Sequence, residues 1–125
     1  AYFNTIVKTI KSKKGIKTYI EDTFIYKLDG RLDDIRLTYT YNETCQGSVP
    51  QAIIAFLESA DYEDAIRNAI SIGGDSDTIA CITGGIAEAF YGGVPEPIRK
   101  FAVLKLDKQL DEIVRVFYKK YVDRA

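Results

Sequence analysis

Histidine is absent from these 125 residues. The lack of imidazole excludes histidine-based acid–base catalysis, Ser–His and Cys–His nucleophile pairs, and histidine metal ligands. Any chemistry must therefore use carboxylates, hydroxyls and backbone amides. Methionine is also absent, even at position 1, which fits either removal of an initiator or a chain cut from a longer one.

Cysteine is scarce, since only Cys45 and Cys81 are present. Two cysteines are too few for a disulfide framework, and they lack the spacing of a small zinc domain. No base is available to activate either thiol, so neither is a candidate nucleophile. We predict that both are small, buried core residues.

Strong charge and long apolar runs are also lacking. The net charge of −1 gives no field that points to nucleic acid or to a membrane surface. No apolar run reaches the roughly 18 residues that span a bilayer, and no signal peptide opens the sequence. We therefore expect a cytoplasmic protein with neither a membrane nor a nucleic-acid partner.

One local charge run, Lys8–Lys17, is interpreted as a solvated helix end. The alternative, a phosphate-binding patch, predicts nucleic-acid binding that weakens steeply as salt is added.

Apolar residues make up 46% of the chain and recur at helical spacing, without an alternating strand pattern of useful length. The predicted fold class is therefore all-α. Capping residues predict where helices begin: Ser48, with Pro50 and Gln51 behind it, opens one helix. Asp61 opens the next, and Asp107 opens the last.

Two of these helices have apolar faces that we predict to be buried. The members are Ala65, Ile66, Ala69 and Ile70 in one helix, and Leu110, Ile113, Val114, Phe117 and Tyr121 in the last. A third helix, running to Gly92, is apolar nearly all round and carries many small residues. We expect it to be central, with other helices packed closely against it.

The stretch Gly73–Thr78 places two carboxylates at the start of that central helix. Its glycine pair ends one helical pattern, and Asp75, Asp77 and Thr78 follow where a loop enters the next. Oxygen ligands without nitrogen or sulfur suit Mg²⁺, Mn²⁺ or Ca²⁺.

The competing interpretation is structural. Asp75 or Ser76 caps the helix, and Asp77 merely favours its positive end. The residues alone leave both interpretations open.

The string Gly73–Thr78 resembles the C-terminal metal motif of the ADP-ribosylglycohydrolase family. The resemblance extends to Cys45–Pro50 and to Glu63–Ala69, and it covers about residues 29–122. Residues 1–28 remain as a basic helical lead-in.

This resemblance implies a compact, orthogonal all-α domain holding two Mg²⁺ ions, or Mn²⁺. It implies hydrolysis of the glycosidic bond between ADP-ribose and a protein side chain or a related acceptor. Carried over by motif, Asp75, Asp77 and Thr78 are metal ligands, and Asp77 bridges both ions. Gly73 and Gly74 let the backbone approach the substrate closely. No catalytic acid or base is assigned.

The family's other ligand motifs, an N-terminal Gly-Asp segment and Thr-Asp-Asp-Thr, are missing from this sequence. We therefore expect residues 1–125 to form a single partial domain that is inactive alone. Such a domain is expected to self-associate or to pair with an N-terminal half. The substrate is expected to be an ADP-ribosylated protein or an ADP-ribose-type small molecule. The alternative is a non-catalytic relative or a helical interaction module.

Overall fold

The structure is a computed structural model that describes Val7 and residues 9–122. Within these residues all regular structure is helical, so the all-α fold class is confirmed. The helices are α1 (Lys13–Phe24), α2 (Leu32–Thr38), α3 (Cys45–Leu57), α4 (Tyr62–Ser71), α5 (Ser76–Tyr91), α6 (Glu96–Val103) and α7 (Lys108–Phe117). A π-helical turn, Tyr118–Val122, follows α7. No helix in this part of the chain is both long and apolar enough to cross a bilayer.

The chain forms two compact units that divide after Gly93. The first contains α1 to α5, and the second contains α6, α7 and the π-helical turn. The prediction of a single partial domain stays a prediction. Of the predicted basic lead-in, residues 1–6 and Lys8 lie outside the described residues.

Helix α5 is the centre of the first unit and packs against both α3 and α4. Small residues make this packing close, as predicted. The buried Thr83 hydroxyl donates to the carbonyl of Ala52 in α3 at 3.0 Å. A Cβ added to Gly84 would lie 3.1 Å from the Cδ1 atom of Ile66 in α4. Larger side chains at these two positions would push the helices apart.

A cluster of buried apolar residues lies beneath the connection from α4 to α5. Its members are Leu32, Ala52, Ala55, Ala69, Ile72 and Ile79. Ile72 precedes the Gly73–Thr78 stretch and Ile79 follows it, so burial anchors the stretch at both ends. This anchoring fixes where the candidate ligands emerge from the core.

Helix α3 begins earlier than predicted, and the prediction that Ser48 caps it is wrong. Thr44 is the cap, since its hydroxyl accepts from the N–H of Gly47 at 3.1 Å. Ser48 lies inside the helix and donates to the carbonyl of Asn42 at 3.0 Å. Pro50 also lies inside α3, where it cannot donate to the carbonyl four residues earlier. Asp61 and Asp107 cap α4 and α7, as predicted.

The burial of α4 is confirmed at Ala65 and Ala69, but not at Ile70. Ile70 is 55% exposed. Neighbouring residues of a helix point about 100° apart, so Ile70 cannot share the inward direction of Ala69.

Four predicted inward residues of the last helix are also exposed. They are Leu110, Ile113, Phe117 and Tyr121, each 49% to 62% exposed, whereas Val114 is half-buried. Helices α6 and α7 have only 8 and 10 residues. A unit this short has too little chain to cover its own apolar surface.

Both cysteines are exposed, so the prediction that they are core residues is wrong. Cys45 is the first residue of α3 and precedes the buried part of that helix. Cys81 lies on α5, where Thr83 and Gly84 take the buried side. Apolar neighbours in sequence did not indicate which side of the helix each thiol would occupy.

Lys13 departs from the interpretation of the lysine run as a solvated helix end. Its ammonium donates to the carbonyl of Ser59 and lies 3.3 Å from the Ser59 hydroxyl. It also lies 5.1 Å from the ring centroid of Phe56 and 5.4 Å from that of Tyr91. This cation–π contact joins α1 to the ends of α3 and α5.

We predict that Lys13→Met lowers the free energy of unfolding by about 2 kcal/mol, because a partly desolvated cation–π contact is lost. Lys14→Met is the matched control, since Lys14 is exposed on the same helix. Urea unfolding of both variants gives the comparison. Equal midpoints for the two variants would contradict this prediction.

Candidate metal centre

The connection between α4 and α5 is a glycine turn. Gly73 has φ +80° and Gly74 has φ +62°, both in the left-handed region. Glycine adopts this conformation without the steric cost that other residues bear. The two residues connect the end of α4 to Asp75 at the start of α5.

Asp75 occupies the N-cap position of α5, yet its side chain makes no capping hydrogen bond to the first turn, Ser76–Thr78. Asp61 and Asp107 show the usual arrangement, each accepting at 2.8 Å from the backbone N–H three residues on. Their ψ angles are −174° and 167°, whereas that of Asp75 is 61°. With this ψ angle and without a capping bond, Asp75 differs from both capping aspartates, which argues against the structural interpretation of Asp75 as a cap.

The carboxyl groups of Asp75 and Asp77 meet. A hydrogen bond from Asp75 holds the pKa of Asp77 below its ordinary value, with further help from the N–H of Thr78, 3.0 Å from Asp77 Oδ1. The lowered pKa keeps Asp77 ionised near neutral pH, the form in which a carboxylate can bind a cation.

Tyr41 and Glu43 are two neighbours of this pair that sequence reasoning missed. The Tyr41 hydroxyl donates to Glu43 Oε1 at 2.9 Å. This bond and the charge of Glu43 raise the pKa of Tyr41, and the charges of Asp75 and Asp77 raise it further. Tyr41 therefore lies within the electrostatic field of the aspartate pair. Nothing in the local sequence signals this, because the two segments meet only in the folded chain.

The remaining predicted residues have different surroundings. A Cβ added to Gly73 would find no described atom within 4 Å, so this side of the turn is open. Gly74 is covered by Tyr39. Thr78 is exposed on the first turn of α5. Substrate contact by Gly73 and Gly74 stays a prediction.

The donor set is small. Across Val7 and residues 9–122, no three Asp, Glu or Cys side chains come together to hold a metal ion. What the turn offers is two carboxyl groups already in contact, with the Thr78 hydroxyl one residue further on. Oxygen donors of this kind fit Mg²⁺ or Mn²⁺ chemically, as one side of a coordination shell.

Comparison with known proteins assigns the chain to a family. The sequence model of the family described as ADP-ribosylglycohydrolase matches residues 6–124. The chain belongs to the ADP-ribosylglycohydrolase family. The match extends further towards the N-terminus than residue 29, where the resemblance by motif begins.

One relative in this comparison is an uncharacterized protein of Archaeoglobus fulgidus. It is 34% identical over 70 residues, which cover 56% of this chain and 22% of the relative's length. The chain thus matches only a small part of that relative. No solved structure matches the chain.

The position of Tyr41 gives a test of the site's geometry. We predict that Glu43→Gln lowers the pKa of Tyr41 towards its ordinary value, because a hydrogen-bonded carboxylate no longer favours the neutral phenol. Asp77→Asn should lower it by a smaller amount. Glu63→Gln, which removes a carboxylate paired with Arg67, should leave it unchanged. NMR titration of the tyrosine Cζ resonances measures all three. An unchanged Tyr41 pKa in Glu43→Gln would contradict the contact.

Proposed function

We propose that Asp75, Asp77 and Thr78 form one side of a metal site that binds two Mg²⁺ ions, or Mn²⁺. The reaction served is hydrolysis of the glycosidic bond between ADP-ribose and a protein side chain or a related acceptor. One observation carries the proposal: an aspartate at a helix N-cap forgoes its cap while its carboxyl group meets a second aspartate. Membership of the ADP-ribosylglycohydrolase family supports the reaction class.

The chain's own residues prepare this side of the site for cations. The first turn of α5 provides a positive helix end, which lowers the cost of holding two carboxylates together. Hydrogen bonds keep Asp77 in its ionised, ligand form. The open side of Gly73 leaves room for a substrate to approach the backbone. When bound, Mg²⁺ would supply Lewis-acid activation of a water molecule and of the sugar oxygens.

These residues are too few to complete the site. Mg²⁺ demands near-octahedral oxygen coordination and gives up its water reluctantly. We therefore propose that the chain is inactive alone and gains activity by pairing with a polypeptide that supplies further acidic ligands, or by self-association. The substrate would be an ADP-ribosylated protein or an ADP-ribose-type small molecule.

A second candidate function is a non-catalytic helical interaction module. The observation that favours it is the exposed apolar surface of the second unit, including Leu110, Ile113 and Phe117. Apolar side chains exposed in this number often mark a contact with another protein. In that case the aspartate pair would bind no metal selectively.

Mn²⁺ titration followed by NMR separates the two functions. We predict that Mn²⁺ broadens the backbone amides of residues 73–78 before those of other acidic segments, because the paired carboxylates bind the ion first. Asp77→Asn should abolish this selectivity. Glu63→Gln, at an exposed ion pair with Arg67, should preserve it. Equal broadening at every acidic residue would rule out a site at the turn.

The requirement for further ligands is tested by calorimetry. Mn²⁺ titrated into the chain together with a polypeptide bearing the Thr-Asp-Asp-Thr motif should bind more tightly than to the chain alone. The gain should vanish in Asp77→Asn. No gain in the mixture would contradict pairing as the route to a complete site.

A further inference from the structure

The ring of Tyr39 closes one side of the glycine turn. A Cβ added to Gly74 would lie 2.5 Å from Tyr39 Cε1 and 3.1 Å from Cδ1. Side chains do not approach one another this closely, so the ring lies directly against the Gly74 backbone. Gly73 has no such neighbour. The contact is therefore specific to the residue that immediately precedes Asp75.

Tyr39 is itself held firmly at the end of α2. Its N–H donates to the carbonyl of Ile35 at 2.8 Å, and its ring packs against the apolar cluster that contains Ile72 and Ile79. The same helix is tied to the end of α4, since Arg36 Nε donates to Ser71 Oγ at 2.7 Å. Helix α2 thus contacts the chain both before and within the turn.

The hydroxyl of Tyr39 does not explain its placement. It is buried and has no hydrogen-bond partner among the described residues. A buried hydroxyl without a partner costs stability, because it has lost its bonds to water. The ring alone therefore makes the favourable contact with the turn.

We propose that Tyr39 is a positioning residue for the Asp75–Asp77 pair. Its ring presses on Gly74 and holds the left-handed conformation there. This conformation delivers Asp75 to α5 beside Asp77 and without a capping bond to the helix N–H groups. The consequence for cation binding rests on the proposed function, whereas the effect on the turn is a property of the metal-free chain.

The metal-free test is amide hydrogen exchange. The N–H of Ser76 donates to the Gly74 carbonyl at 2.9 Å, and that of Ile79 to the Asp75 carbonyl at 3.0 Å. In Tyr39→Ala we expect both amides to exchange about tenfold faster or more, because the turn opens locally. Tyr39→Leu keeps apolar volume without the flat ring and should show the same faster exchange. It takes the place of Tyr39→Ala if that variant fails to fold. Tyr39→Phe should match the unmodified chain.

Ile35→Ala is the matched control. Ile35 packs against the same apolar cluster, but it is not among the atoms nearest Gly74. Ile35→Ala should lower the overall stability. It should not speed up the exchange of the Ser76 and Ile79 amides more than that of the other protected amides. If Ser76 and Ile79 exchanged in Tyr39→Leu at the same rates as in Ile35→Ala, the proposal would be overturned. Equal damage in Tyr39→Phe would overturn it too, because the effect would then belong to the hydroxyl.

Mn²⁺ broadening of residues 73–78 in the same variants measures the consequence. We expect Tyr39→Leu to need about tenfold more Mn²⁺ than the unmodified chain, which corresponds to about 1.4 kcal/mol, and Tyr39→Phe to need the same. Without selective broadening in the unmodified chain, the proposed function fails, while faster exchange in Tyr39→Leu still supports the positioning role. Selective broadening that is identical in all variants, with unchanged exchange, removes the positioning role and leaves the proposed function standing.

Discussion

The close approach of α5 to α3 and α4 is the constraint on which the rest of the first unit depends. The Thr83 side chain is small enough to let α5 approach α3, and its hydroxyl donates a hydrogen bond to the carbonyl of Ala52. At Gly84 the absence of a side chain lets Ile66 lie against the backbone. Both contacts tolerate little displacement along the helix axis. The start of α5, and with it Asp75 and Asp77, is therefore fixed relative to the core.

The turn at the start of α5 contains features that lower the stability of the metal-free chain. An N-cap aspartate without a capping bond and two neighbouring carboxyl groups each cost free energy in the metal-free chain. The cluster containing Ile72 and Ile79 holds both ends of the turn by burial, which offsets part of that cost. Such local destabilisation, held by a rigid surround, is typical of sites that await a ligand.

Much of the fold was predictable from sequence, because helical apolar spacing and capping residues indicate where helices lie. The same spacing did not predict which faces are buried, since Ile70 and Leu110 are exposed. The helices after Asp61 and Asp107 begin where their caps indicate. Thr44 and Ser48 are both good caps on local grounds, and only the folded chain shows which one meets a free N–H. Tyr39 and Tyr41 were not predictable, since they reach the turn through tertiary contacts that leave no local pattern.

The choice between cap and ligand shows why the site could be located but not resolved from sequence. Asp61, Asp75 and Asp107 are the same residue type at the same helix position, so composition and spacing treat them alike. What separates them is one backbone angle, ψ, which is extended at two of them and 61° at Asp75. That angle is set by the glycine turn and by what packs against it. An aspartate that makes no capping bond has both carboxylate oxygens available for a cation. The groups that complete the coordination shell need not come from the same helix.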